Sequence, residues 1–237
     1  MPDSIFVALD FESAEEALSL VAALGDDCSA YKVGLQTLVE AGPDMVRQLT
    51  SRGKSVFLDL KTHEIPNSVA GAVRAAGKLG ADMVTVHASG GSAVLRSAVE
   101  AAAPFPRLKV LALTVITSLS DADLPEIGLQ ADVKAQVLRL ARLAASCGCH
   151  GVVASPHEAA MLAEALPQGM LIVVPGIQLD ATPGGDQARS ASPGYAKAAG
   201  ATHIVVGRAV TQAADPRLAY RRVVEAFQRQ GITRSRG

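Results

Sequence analysis

Residues 55–68, SVFLDLKTHEIPNS, place ionisable side chains where an apolar run gives out. Val56, Phe57, Leu58 and Leu60 read as a buried strand, and Asp59 and Lys61 interrupt its end. Residues two apart on a strand share a face, so these two side chains stand next to each other. The chain leaves through Thr62, His63 and Glu64, and Pro66 turns Ile65 away from helical angles, which brings a second carboxylate, Glu64, close to the pair. Lys32, in AYKVG, ends another apolar strand. Two ammonium and two carboxylate groups at one mouth would alternate in charge. An ammonium kept protonated by flanking carboxylates is suited to stabilising developing negative charge and to delivering a proton. The competing reading is a solvated strand end with surface ion pairs, each worth about 0–1 kcal/mol.

Bringing these groups together requires strands that share an end. The periodicity predicts strands over 5–10, 31–34, 55–61, 83–88, 109–117, 151–155, 170–174 and 203–207. Helices are expected after Ser13, which has Glu16 at capping-box distance, and over 43–51, 67–78, 92–102, 131–147 and 215–228. Another starts at Pro156, and one of about eight residues follows the long loop PGIQLDATPGGDQARSASPG. The tail, 229–237, reads as frayed. Eight strand-then-helix units without a linker predict one (β/α)8 barrel domain over 1–237 rather than an open doubly wound sheet. Barrel active sites lie at the C-terminal strand ends, where Asp10, Lys32, Asp59, Lys61, His87, Thr117, Ser118 and Arg208 all fall.

The loops after the seventh and eighth strands commonly hold phosphate in such barrels. Here Gly176, Gly184, Gly185 and Gly207 allow close backbone approach, while Arg208 and Gln187 offer donors, so a small phosphorylated substrate is expected. The long seventh loop has the composition of a lid. Glycines that only make turns and a solvated Arg208 are the alternative. A net charge of -1, no Trp and 3% aromatics argue against nucleic-acid and membrane partners. The three cysteines, with CGC spacing, read as reduced structural thiols; no signal peptide or apolar membrane span is visible, so a cytoplasmic protein is expected.

VALDF, KVG, FLDLKTHEIPNS, VHASGG, TVITSL, VVPGI, GGDQ and VVGR occur in order along nearly the whole chain. In these motifs the sequence resembles the bacterial orotidine 5′-phosphate decarboxylases. The resemblance implies a dimeric barrel that converts orotidine monophosphate to uridine monophosphate and CO2 without metal or organic cofactor. It puts Lys32, Asp59 and Lys61 in the Lys/Asp/Lys places and Glu64 in the fourth, which the partner subunit supplies. It further implies that Asp10 and Lys32 hold the ribose, that Thr117 and Ser118 meet the pyrimidine, and that Ser68 reaches the partner's ribose. Pro175, Gln178, Gln187, Gly207 and Arg208 would line the phosphate end. Three residues depart from the family pattern: Glu64 stands for Asp, Ser68 for Thr, and Gln178 for Arg.

Loss of CO2 from C6 of a pyrimidine leaves an in-plane electron pair that the ring cannot delocalise, and Lys61 is expected to stabilise and then protonate it. A Mg2+-dependent phosphosugar decarboxylase such as a 3-keto-gulonate-phosphate decarboxylase, and a catalytically impaired nucleotide-binding paralogue carrying Glu64, are the alternatives. His150, His157 and His203 are expected away from the mouth, His87 is expected as a supporting hydrogen-bonding residue, and Asp121 and Asp123 as loop solvation.

Overall fold

Eight parallel strands close on themselves in sequence order, β1 to β8, with β1 pairing β8. This is a computed structural model in which residues 4–179 and 190–228 are described. The strands are β1 (Ile5–Leu9), β2 (Ala30–Gly34), β3 (Ser55–Thr62), β4 (Met83–His87), β5 (Lys109–Leu113), β6 (Gly151–Val153), β7 (Leu171–Ile177) and β8 (His203–Val206). Helices α1 (Ala14–Leu24), α2 (Leu35–Ala41), α3 (Asp44–Ser51), α4 (Pro66–Lys78), α5 (Gly91–Ala102), α6 (Val133–Ser146), α7 (Ala159–Ala165), α8 (Pro193–Ala198), α9 (Arg208–Thr211) and α10 (Pro216–Gln228) alternate with them. The expected (β/α)8 barrel in one domain is what forms. The tail, 229–237, lies outside the described residues.

Strand alternation sorts the core into two parts. Phe6, Ala30, Phe57, Met83, Leu111 and Val173 point inward and fill the barrel, with Phe6 and Phe57 meeting edge to face at 5.7 Å between centroids. Their neighbours one residue away, such as Val7, Tyr31, Leu58 and Val84, face outward and pack under the helices. The inward columns then continue toward the C-terminal ends with polar residues. Ala8 is followed two residues on by Asp10, Ala30 by Lys32, Phe57 by Asp59, and Met83 by Thr85. The same period that builds the apolar floor thus delivers the charges on top of it.

Several boundaries differ from expectation for local reasons. β5 stops at Leu113 rather than Thr117, because its partner β6 ends at Val153, whose carbonyl accepts from both the N–H and the hydroxyl of Thr114, and a turn follows. β7 runs on to Ile177, which pairs with Val206 and bridges to Ala191. The helix after the long loop has six residues, and α2 and α9 are short helices that follow their strands without a side-chain cap to announce them. Ser13 does cap α1 by accepting from Glu16 N, while the reciprocal capping box is formed by Ser155 and Glu158.

Gly151 pairs with Leu111 on one side and Leu171 on the other, and a Cβ there would lie 2.5 Å from Leu171 O and 2.6 Å from Leu171 Cβ. Gly151→Ala is expected to destabilise the barrel by about 1–3 kcal/mol through overpacking, read as a lower urea midpoint. An unchanged midpoint would contradict this account of the β6–β7 seam.

Candidate active site

Four of the predicted charges form one continuous array on the inner face of β1–β3. Lys61 Nζ lies 2.5 Å from Asp59 Oδ2, Lys32 Nζ lies 3.3 Å from the same oxygen, and Lys32 Nζ also lies 3.4 Å from Asp10 Oδ1. The order is acid, base, acid, base, so every inner member faces opposite charge on both sides. Asp59 and Lys32 are deep, with side chains 8% and 12% exposed, whereas Lys61 keeps 37% and Asp10 50% toward the opening. Burial pushes the Asp59 carboxyl up, but the charges of Lys32 and Lys61 and hydrogen bonds from Lys61 and Thr85 outweigh it and hold it below the usual carboxylate range. Asp59 is therefore an anion in a nearly dry place.

The backbone is shaped to make this possible. Between the pairs Leu58↔Val84 and Thr62↔Val86, β3 carries Asp59, Leu60 and Lys61 where β4 carries Thr85 alone, so β3 bulges. Lys61 sits at φ 48°, the non-glycine residue in the left-handed region among those described, a conformation that costs about 1 kcal/mol or more. On β2, Gly34 leaves the space that Asp10 and Lys32 occupy: a Cβ there would lie 2.6 Å from Asp10 Oδ1 and 3.1 Å from Lys32 Nζ. Thr37 on α2, fully buried, donates to Leu9 O at 2.5 Å and accepts from Phe11 N at 3.1 Å, which fixes the chain around Asp10. Thr85, Gly34 and Thr37 escape sequence reading because each acts through a neighbour across the sheet.

The array lines a cavity of about 570 Å³ at the C-terminal end of the barrel. Asp10, Lys32, Asp59, Lys61, Thr117, Pro175, Gln178, Gly207 and Arg208 all line it, as does Gln212 on the residues after α9, which the sequence did not single out. Phe57, Leu113, Val153 and Val205 form its apolar part. The array runs across the ends of β1, β2 and β3, and Arg208 follows β8, the other neighbour of β1 in the closed barrel. Backbone bonds from Gln178 N to Ala191 O and from Ala191 N to Gly176 O hold the ends of the seventh loop together beside Gln178. Gln187, Gly184, Gly185 and most of the expected lid lie outside the described residues.

Three predicted residues are not brought to this cavity. Glu64 is exposed and its Oε1 accepts from Ile65 N at 2.7 Å, so the acid beyond Lys32 in the same chain is Asp10 and not Glu64. The exit loop turns outward at Glu64, and adjacency in sequence does not become adjacency in space. Ser68, near the start of α4, is also exposed, and Ser118 is exposed on the loop after β5.

His87 stacks on His63 with ring centroids 5.3 Å apart at 29°, so its contact is with a ring rather than the hydrogen bond expected of it. His150 and His203 lie at the N-terminal side of the barrel, His150 accepting from Val110 N. His157 belongs instead to the mouth side, in a short 3-10 turn that follows β6, where it meets the Tyr195 ring; Pro156 begins that turn at once, leaving no room to carry His157 away. Asp121 accepts from Val133 N at the start of α6, and Asp123 accepts from Ser120, so both acids order their loop. Among the described residues no three His, Cys, Asp or Glu side chains are grouped to hold a metal ion. Cys28, Cys147 and Cys149 are buried free thiols, Cys149 pushed up to about 12 by burial. No helix of the described residues is long and apolar enough to cross a membrane.

A closed parallel barrel with a lysine–carboxylate array in a cavity at the C-terminal ends of its strands has the architecture of a barrel enzyme. The orotidine 5′-phosphate decarboxylase / HUMPS family pattern matches residues 3–223, and the chain belongs to that family. Similar curated proteins include the orotidine 5′-phosphate decarboxylase of Halorhodospira halophila, 49% identical over 91% of this chain and 92% of that protein. That of Alkalilimnicola ehrlichii is 47% identical over 97% and 98%. The crystal structure of orotidine 5′-phosphate decarboxylase from Lactobacillus acidophilus superposes with a TM-score of 0.86 at 38% identity, covering 97% of this chain and 100% of that one.

The His63–His87 stack carries a pH consequence. Burial, then the charges of His63 and Lys61, hold the His87 imidazolium below its ordinary value of 6.5, against a smaller opposing pull from Asp59. Below that value the unfolded chain takes up a proton that the folded chain resists, so stability is complete above it and falls with pH toward the lower folded value. Urea midpoints measured from pH 7.5 to 5 are expected to fall, and His87→Gln to make the fall shallower; parallel curves for the two proteins would remove His87 from this explanation.

Proposed function

We propose that this chain decarboxylates orotidine 5′-monophosphate to uridine 5′-monophosphate and CO2, with Lys61 stabilising and then protonating the C6 carbanion. The reaction is the one that the orotidine 5′-phosphate decarboxylase relatives are named for. The observation that carries the residue assignment is the Asp10–Lys32–Asp59–Lys61 array, set into a cavity that Arg208 also lines. The substrate has a carboxylate at one end and a phosphate at the other, and the cavity has cations at both. Arg208, the Gly207 backbone and Gln178 take the phosphate; Asp10 and Lys32 take the ribose hydroxyls; Thr117, which lines the cavity as Ser118 does not, meets the pyrimidine. Gln187 completes the phosphate site in this reading.

The chemistry follows from the charges. The C6–carboxylate bond breaks, its electron pair stays on C6 in an orbital within the ring plane, and CO2 leaves as a neutral molecule. The Lys61 ammonium, fixed by Asp59, faces the growing negative charge and transfers a proton to C6, and solvent reprotonates the amine. Asp59 crowds the substrate carboxylate but not the neutral CO2, so its charge opposes the ground state more than the product. The apolar floor of Phe57, Leu113, Val153 and Val205 keeps water from weakening these interactions. Binding free energy from the phosphate, remote from C6, helps to assemble the array around the reacting end.

The working unit in this proposal is a cytoplasmic homodimer in which Glu64 and Ser68 reach into the partner's site. Both are exposed, neither lines the cavity of its own chain, and the apolar Leu35, Val39 and Ile65 are exposed on the segments that follow the neighbouring strands β2 and β3. Exposed apolar side chains on adjoining segments of one rim favour a protein partner. The buried thiols suit a reducing compartment.

Lys61→Ala is expected to lower kcat/KM on orotidine monophosphate by about 10⁴-fold or more, followed as loss of substrate absorbance. Mixing inactive Lys61→Ala with inactive Glu64→Ala should restore about one site in four, because a mixed dimer has one site with both groups intact. No recovery on mixing would place Glu64 outside the partner's site. Activity that persists in EDTA separates this reaction from a Mg2+-dependent phosphosugar decarboxylation, and nucleotide binding without turnover would mark a sensor.

A further inference from the structure

The bulge in β3 puts three residues, Asp59, Leu60 and Lys61, opposite one residue of β4, Thr85. We propose that Thr85 is a positioning residue: its hydroxyl locks the Asp59 carboxylate and the Lys61 backbone into a single geometry, so that the Lys61 ammonium points at the reacting carbon. Thr85 is fully buried, and its hydroxyl both donates and accepts. It donates to Asp59 Oδ1 at 2.8 Å and accepts from Lys61 N at 2.9 Å. The inference rests on Asp59 and Lys61 being the reacting pair, and adds a residue that touches no substrate.

Each bond removes a freedom that the site cannot tolerate. Asp59 Oδ2 is already held by Lys61 Nζ and Lys32 Nζ, and Thr85 on Oδ1 stops the carboxylate from turning about its own bond axis. Lys61, in the left-handed region, has its N–H held by the Thr85 side chain within the bulge, where regular strand pairing is interrupted. A β-branched residue has a stiff χ1, so the hydroxyl that bridges the bulge is itself fixed by its backbone. The contact between Lys61 and Asp59 is therefore set from two directions, through the side chain of the acid and through the main chain of the base.

Asp59 is faced by Lys32 from β2, by Lys61 from its own strand and by Thr85 and His87 from β4, with Asp10 of β1 reached through Lys32. Removing the hydroxyl subtracts a donor from the carboxylate while the lysines remain, so Asp59 should take up a proton at higher pH than in the parent.

The test compares Thr85→Val and Thr85→Ser with the parent chain, using steady-state turnover of orotidine monophosphate across pH and thermal melting as readouts. Valine keeps the shape and loses both bonds; serine keeps the hydroxyl and loses some rotamer stiffness. Thr85→Val is expected to lower kcat by roughly 10- to 100-fold, as for a small misplacement of reacting groups, with KM within about threefold. The acid limb of its pH profile should move to higher pH, and Thr85→Ser should recover most of kcat and restore the limb. A Thr85→Val protein with parental kcat and an unmoved limb overturns the proposal, whatever its melting temperature. If Thr85→Val does not fold, Thr85→Cys, a weak donor and acceptor, must show the same loss and the same shift, and parental behaviour there is equally decisive. Lys61→Ala run beside them separates the two levels: full activity there means the reacting pair is misassigned, whereas its loss beside an unaffected Thr85→Val rejects Thr85 alone.

Discussion

A carboxylate almost wholly out of water can stay ionised only if other groups replace its hydration, and at Asp59 the replacements are two ammonium groups and a hydroxyl. Everything else at the mouth follows from meeting that requirement. Lys32 is drawn to Asp59 from the neighbouring strand, and Asp10 lies on the other side of Lys32. Gly34 has no side chain because those two groups fill the place where one would be. The β3 bulge and the left-handed Lys61 set Lys61 Nζ against the acid. A buried ion pair of this kind is a weak source of stability, since desolvation offsets most of the attraction. Its value is orientation: a charge with nowhere else to go keeps its partners in place.

The barrel is what makes so rigid a network attainable. Inward residues of every strand converge on one axis, so charges from β1, β2 and β3 meet without long flexible side chains having to search for one another. The apolar layer below, built from the same inward columns, blocks the floor against water and raises the strength of each charge above it. Gly207 and Arg208, which follow β8, line the same cavity from a strand that carries none of the four charges of the array.

Glu64 shows how closeness in sequence can mislead. Three residues past Lys61, it reads as a member of the same cluster, yet its side chain turns back onto the Ile65 N–H and stays in solvent. An extended strand carries successive side chains to alternate faces, but once the chain leaves the sheet no such rule applies, and the exit loop is directed by the start of α4. The second acid that adjoins Lys32, Asp10, lies 22 residues before it, just past the end of β1.

The run of strands and helices along the sequence was enough to specify the (β/α)8 order and to put Asp10, Lys32, Asp59, Lys61, Thr117 and Arg208 at one end, because every strand of such a barrel ends on the same side. Pairing across the sheet does not obey a local rule. Which oxygen of Asp59 each lysine takes, the three-against-one bulge opposite Thr85, the room at Gly34 and the clamp of Thr37 on β1 all depend on register between strands that are 20 or more residues apart in the chain. Register is a property of the closed barrel, where each strand is placed by two neighbours, and only the folded chain decides it.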